Sequence, residues 1–198
     1  MTSSRHTLVR TSRHEVTIER SRFLATALPV GSPDTAMEAL RSSADGDATH
    51  NCWAYRIGDA YRWSDDGEPA GTAGRPILSA IDGQAMDRVV VVVTRWYGGI
   101  KLGAGGLVRA YGGTAAECLR LGEREPIVET QTLGCVIEFA LEPALRALLP
   151  AFDAAIVEQR HDAQGAHLLL RVPLDRREPL MARLVDLSRG RVLFPSAD

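Results

Sequence analysis

The chain has 198 residues, 45% hydrophobic and 24% charged, an ordinary balance for a globular protein with one large core or two small ones. Its 23 basic and 25 acidic side chains leave a formal charge of −2, so no global field marks it for a nucleic acid or a membrane, and any cationic site has to be local. The N-terminal MTSSRHTLVRTSRHEV lacks the apolar core of a signal peptide, and no apolar run approaches the roughly 20 residues that span a bilayer; the expectation is a cytoplasmic protein with no membrane segment.

In chain order, residues 15–30 (EVTIERSRFLATALPV) read as extended. Gly31-Ser32-Pro33 reads as a helix start, with Ser32 as cap and Pro33 in the first turn, and the helix should end near Ser43. CWAYRI is a strand by its aromatic and β-branched content. The segment Ser64–Pro76, SDDGEPAGTAGRP, follows as a shaped loop, and RPILSAI opens a short helix or a strand, the preferred reading being a helix entered through Gly71 and Gly74. RVVVVVT (88–94) predicts a strand buried on both faces. A glycine-rich turn from Arg95 then leads into a helix over 107–121 whose inner face is Leu107, Ala110, Tyr111, Thr114 and Cys118. EREPIVET (123–130) reads as a linker.

Beyond it the pattern changes. Leu133, Cys135, Ile137, Phe139 and Leu141 alternate as a one-faced strand, and EPALRALLP is a short helix. AAIVEQRH and AHLLLRV flank the turn Asp162-Ala163-Gln164-Gly165 as a hairpin. Asp175, with Glu178 three residues on, is read as the cap of a helix closed by Gly190, and RVLF as a last strand. The order β-α-β-β-α-β is the ferredoxin-like arrangement. The fold class is therefore α+β with two domains, residues 1–127 and 128–198.

Two chemistries compete for the glycine-rich stretches. A nucleotide site fails on detail: Gly103 is followed by Ala104 and Gly105 where a phosphate loop needs Lys-Ser/Thr, and Val108 stands where a dinucleotide fingerprint needs glycine or alanine. No cofactor is expected. Arg75, Arg95, Lys101 and Arg109 lie in or beside these stretches, and basic side chains with bare amides at a helix start suit a nucleic-acid phosphate, with Trp96 and Tyr97 available to stack on a base. The plainer reading is that the glycines let backbones pack closely and the aromatics belong to the core.

Asp65, Asp66 and Glu68 raise the question of acid–base or metal chemistry. Asp65 and Asp66 are adjacent and point apart in an extended chain, and Glu68 precedes a proline. All three read as loop-structuring residues, together with Gly71, Gly74, Gly98, Gly99, Gly103, Gly105 and Gly106, with Asp65 and Asp66 making turn-type bonds to backbone N–H groups or pairing with Arg75 or Arg95. His50 and Cys52 sit close, but no second pair completes a metal set, and Cys52, Cys118 and Cys135 fit reduced thiols. No metal and no catalytic residue is expected.

The strings SDDGEPAGTAGRPIL and VVVTRWYGGIKLGAGGLVRAYGG, with ERSRFLA, HNCWAY and LSRG, closely resemble the Impact/YigZ family over almost the whole chain. The resemblance implies an N-terminal α/β unit similar to the second domain of ribosomal protein S5 and to domain IV of elongation factor G. It implies a ferredoxin-like C-terminal domain similar to domain V of that factor. It also implies a role in regulating translation, since eukaryotic members restrain the kinase that shuts down initiation during amino-acid starvation. Those members carry an RWD domain before the Impact domain, whereas this chain starts with ERSRF after a short polar tail, so kinase control does not carry over. The expectation is a non-enzymatic, cytoplasmic regulator that binds RNA or the ribosome through Arg75, Arg95, Lys101 and Arg109. The alternatives are a metal-dependent enzyme using Asp65, Asp66 and Glu68, and a protein-interaction module whose stretch from Arg171 to Arg191 is mildly basic.

Overall fold

The computed structural model describes residues 5–195, and the chain divides into two compact units between Ile127 and Val128. The first unit runs β1 (His6–Leu8), β2 (Ser12–Ile18), β3 (Ser21–Pro29), α1 (Pro33–Ser43), β4 (His50–Ile57), β5 (Ala60–Ser64), α2 (Gly74–Gly83), β6 (Val89–Trp96), α3 (Gly103–Leu121) and β7 (Arg124–Pro126). Its main sheet has the order β2-β3-β6-β4-β5 and is antiparallel throughout.

The valine run lies at the centre of this sheet. Val89, Val91 and Val93 join Phe23, Ile77, Ile81, Tyr111 and Leu119 in a core under α2 and α3, while Val90 and Val92 pack with Ala36, Leu40 and Tyr55 under α1. Both faces are covered, which is why the strand shows no polar alternation. Ser32 caps α1 as expected, and it shares a reciprocal capping box with Thr35.

Three readings change here. The extended segment 15–30 is two strands, β2 and β3, folded back at Glu19-Arg20, where both residues hold positive φ without a glycine to signal it. AYRWS is a further strand, β5, joined to β4 by the Gly58-Asp59 turn. The presumed linker is part of the domain, since β7 pairs antiparallel with β1 from His6↔Pro126 to Leu8↔Arg124.

The second unit comprises β8 (Thr130–Ile137), α4 (Glu142–Leu148), β9 (Ala155–Asp162), β10 (Gly165–Pro173) and α5 (Arg177–Ser188), with the antiparallel sheet order β8-β10-β9. Leu133, Cys135, Ile137, Leu168, Leu170 and Val172 pack against Leu145, Leu180 and Leu184. The expected last strand shrinks to one antiparallel bridge, Val136↔Leu193, closed by N–H to carbonyl bonds of 2.8 and 3.1 Å. It still falls beside β8, where the fourth strand of a ferredoxin-like sheet belongs. Asp175 lies in a short 3-10 turn and does not cap α5, which has no side-chain cap; Gly190 does close that helix, its N–H donating to Val185 O at 2.8 Å.

Candidate functional site

The carboxylates of Ser64–Pro76 perform three separate tasks. Asp65 receives the Gly71 N–H at 2.8 Å on Oδ2, and the Ala73 and Gly74 N–H groups at 3.0 and 2.8 Å on Oδ1. These amides open α2, whose own N-cap residue, Ala73, offers no side-chain oxygen, so Asp65 caps the helix from across the loop and sets its charge against the positive end of the helix dipole. Gly74 is packed so closely on Ser64 that a Cβ would stand 2.6 Å from the Ser64 carbonyl oxygen. Asp66 accepts the Asn51 N–H at 2.6 Å, and its main-chain oxygen lies 2.7 Å from His50 Nδ1. A carbonyl oxygen only accepts, so Nδ1 carries the hydrogen.

Glu68 turns inward. Its Oε1 accepts from Arg95 Nη1 at 2.6 Å and from the Tyr111 hydroxyl at 2.7 Å, with His50 Nε2 3.8 Å away. Arg95 Nη2 donates to Ser21 Oγ, which also accepts the Gly98 N–H at 3.2 Å. One buried ion pair therefore ties the acidic loop to β6, to α3 and to the start of β3. Phe23 meets Tyr111 edge-on at 5.3 Å and completes the packing. Arg95 Nε is buried with no hydrogen-bond partner, a cost that the pair carries.

This overturns one expectation directly. Arg95 is 4% exposed and its guanidinium is engaged by Glu68, so it is a structural cation and does not reach a phosphate. The signal was its position: β6 alternates, and Arg95 continues the inward series Val89, Val91, Val93. Tyr111 was expected on the inner face of α3 and is there, whereas nothing in the sequence pointed to Ser21 or His50 as its companions.

The second glycine-rich stretch also differs from its reading. Gly98 backs onto Arg20, where a Cβ would come within 2.0 Å of the carbonyl oxygen. Gly103, Gly105 and Gly106 are not a turn before the helix but the first turn of α3, which starts four residues earlier than expected. That first turn has no side-chain cap, and its residues Gly103, Ala104 and Gly105 are exposed. The other three cations are all exposed, and of these Lys101 and Arg109 lie beside this turn. Arg75 and Arg109 line a groove between α2 and α3 floored by Pro76, Val108 and Gly112. Lys101 and Arg109 line a second groove, on the other flank of α3, with Ile18, Glu19, Ile100 and Leu102. Arg109 belongs to both. None of the three pairs with a carboxylate among the described residues, in contrast to Arg95. Of the two aromatics, Trp96 is half-buried with the Arg22 guanidinium 3.7 Å above its ring, and Tyr97 is exposed.

Burial pushes the Cys52 thiol, which donates to the Asp65 carbonyl at 3.0 Å, up to about 12, and pushes Cys135 up to about 11. Cys118 is likewise raised by burial, so none of the three thiols is an activated nucleophile. Burial, with the neighbouring Cys52 and Glu68, raises the Tyr111 hydroxyl, which therefore acts as a neutral donor to Glu68. Among the described residues no group of three or more His, Cys, Asp or Glu side chains is arranged to hold a metal ion, and no helix is long and apolar enough to cross a membrane.

Fold and geometry define a two-unit α+β protein whose glycine-rich loops are clamped from within and cationic without. The family model of the Impact N-terminal domain matches residues 19–119, and that of a domain of unknown function, DUF1949, matches residues 135–191. The chain is 46% identical over 176 residues to an IMPACT family member in the pol 5′ region of Thermus thermophilus, covering 88% of this chain and 97% of that protein. It is 37% identical over 185 residues to IMPACT family member YigZ of Escherichia coli, covering 87% and 88%. A crystal structure described as a hypothetical protein, 31% identical, covers 100% of this chain and 99% of its own with a TM-score of 0.72. The chain belongs to the IMPACT family.

Proposed function

We propose that this chain is a non-enzymatic, translation-related regulator of the cytoplasm that docks on RNA or the ribosome. Arg75, Lys101 and Arg109 would hold phosphate oxygens, and the uncapped, glycine-lined start of α3 would let a backbone approach its amides. The observation that supports this reading is three exposed cations without carboxylate partners among the described residues, lining two grooves on α3 that share Arg109, one of them beside its bare first turn. The carboxylates that would serve a hydrolase are occupied elsewhere: Asp65 by three backbone amides, Asp66 by Asn51, Glu68 by Arg95 and Tyr111. Co-sedimentation with ribosomes, and binding to RNA at stepped salt, test the reading. Replacing both Lys101 and Arg109 by alanine should lower the log–log salt slope by about two, one per phosphate contact. Wild-type protein that stays in the supernatant and binds no RNA at low salt overturns it.

A further inference from the structure

The hairpin of β4 and β5 carries the same pair of aromatic rings twice. Trp53 and Tyr55 on β4 have centroids 6.1 Å apart and planes 5° from parallel; Tyr61 and Trp63 on β5 repeat this at 6.1 Å and 4°. The first pair is explained by the fold, since Tyr55 is buried in the cluster under α1 and Trp53 packs against that cluster. The second pair is not. Register sets Tyr61 opposite Arg56 and Trp63 opposite Ala54, yet neither ring joins the core that Ala54 belongs to, and they are 53% and 37% exposed. β5 is the outermost strand of its sheet, so no further strand covers them.

Cations frame the pair. The Arg56 guanidinium lies 5.0 Å from the Tyr61 ring and is itself neutralised by Asp82. Arg62, opposite Tyr55 in the register, sits 5.9 Å from the Trp53 ring and so faces the other side of the sheet from Tyr61 and Trp63. Arg75 follows Gly74, which is pressed against Ser64 at the end of β5, so the aromatic edge runs directly into the groove that Arg75 shares with Arg109. The acids closest in sequence offer little opposition: Asp65 and Asp66 are held by backbone N–H groups, and only Asp59, at the hairpin turn, is exposed and unengaged among the described residues.

We propose that the β5 edge binds single-stranded RNA, Tyr61 and Trp63 stacking on unpaired bases while Arg75 holds a phosphate of the same strand. This deepens the reading given under Proposed function and rests on it. Stacking on exposed rings is available only to bases that are not already paired and stacked, since those of an A-form duplex lie within the helix. A peptide strand adding to this edge would use its backbone groups, and would draw nothing from two parallel rings framed by arginines.

The test is fluorescence anisotropy with labelled poly(U) RNA and with an RNA duplex, using wild type, Tyr61→Ala, Trp63→Ala, Trp63→Phe and Arg75→Ala, each first checked for an unchanged urea midpoint. Each aromatic-to-alanine change should weaken poly(U) binding about tenfold while leaving the salt slope and duplex binding unaltered, and Trp63→Phe should restore most of the loss. Arg75→Ala should reduce the salt slope for both ligands by about one. If the alanine variants bind poly(U) like wild type while Arg75→Ala weakens it, the stacking edge is wrong and the cationic rim stands. Wild type that binds neither RNA overturns both. A wild-type dimer in sedimentation that Trp63→Ala dissociates gives the edge to a second copy and overturns the proposal.

Discussion

Arg95 and Arg75 both flank a glycine-rich segment and look alike in sequence, yet one is sealed against Glu68, Tyr111 and Ser21 and the other stands in solvent at the mouth of a groove. What separates them is direction. Arg95 follows the period-two alternation of a strand whose two faces are both covered, so its side chain enters the core and has to find a carboxylate there. Arg75 leaves the first turn of a helix on the side away from the core, beside Ile77 and Leu78, which enter it. The buried region fixes the shape of the two loops, and the exposed region has cations to spare for a ligand. Charge near a glycine-rich loop is therefore no guide to function until burial is known.

That contrast can be broken most sharply at the buried pair. Arg95→Ala leaves the Glu68 carboxylate enclosed with a tyrosine as its main donor, and should cost about 3–5 kcal/mol in urea unfolding. Replacing both partners together, Arg95→Met with Glu68→Leu, should recover most of that loss; a double variant no better than the single one would show that loop geometry, not uncompensated charge, dominates. Next in size comes Asp65→Ala, which frees three amides at the start of α2 and should cost about 2 kcal/mol, read as a lower urea midpoint.

Asp87 gives an intermediate case. Burial acts to raise its carboxyl, but bonds from the Gly58 and Arg88 N–H groups and from Arg5 outweigh burial and hold it below the ordinary range. A carboxyl depressed on folding contributes stability in full above the unfolded-state pKa, near 4, and loses it as pH falls through the folded value. Stability should therefore fall on acidification across that window, and Asp87→Asn should flatten the acid limb while lowering the neutral-pH midpoint. At the small end, Arg75→Ala and Arg109→Ala should shift unfolding by no more than about 0.5 kcal/mol. A larger effect from either would move it from the rim into the scaffold.

Much of this was legible before the structure. Five consecutive valines can only be a strand with no exposed face, and Leu107, Ala110, Tyr111, Thr114 and Cys118 lie on the buried side of α3 as their spacing demands. Asp65 and Asp66 bond backbone N–H groups, as loop residues of their type do. The misses have identifiable reasons. Glu19-Arg20 turns the chain with two left-handed residues that carry no glycine or asparagine signal, whereas Gly58-Asp59 was a hairpin signal within reach. β7 exists only because β1 pairs with it from the far end of the unit, and three residues with a proline have no strand signature of their own.

Local order in the chain thus determined the valine strand, the helices and the ferredoxin-like order of the second unit, because these follow from side-chain periodicity along one segment. It did not end β8 at Ile137, beyond which Phe139–Leu141 is a 3-10 turn with Phe139 exposed. Only the tertiary structure decided which carboxylate meets which partner: that Glu68 closes on Arg95 and Tyr111, that Asp65 caps α2, and that Arg75, Lys101 and Arg109 stay uncovered. Such choices depend on residues brought together from distant elements. Whether a charge is worth burying depends on the donors that surround it, which no single segment contains.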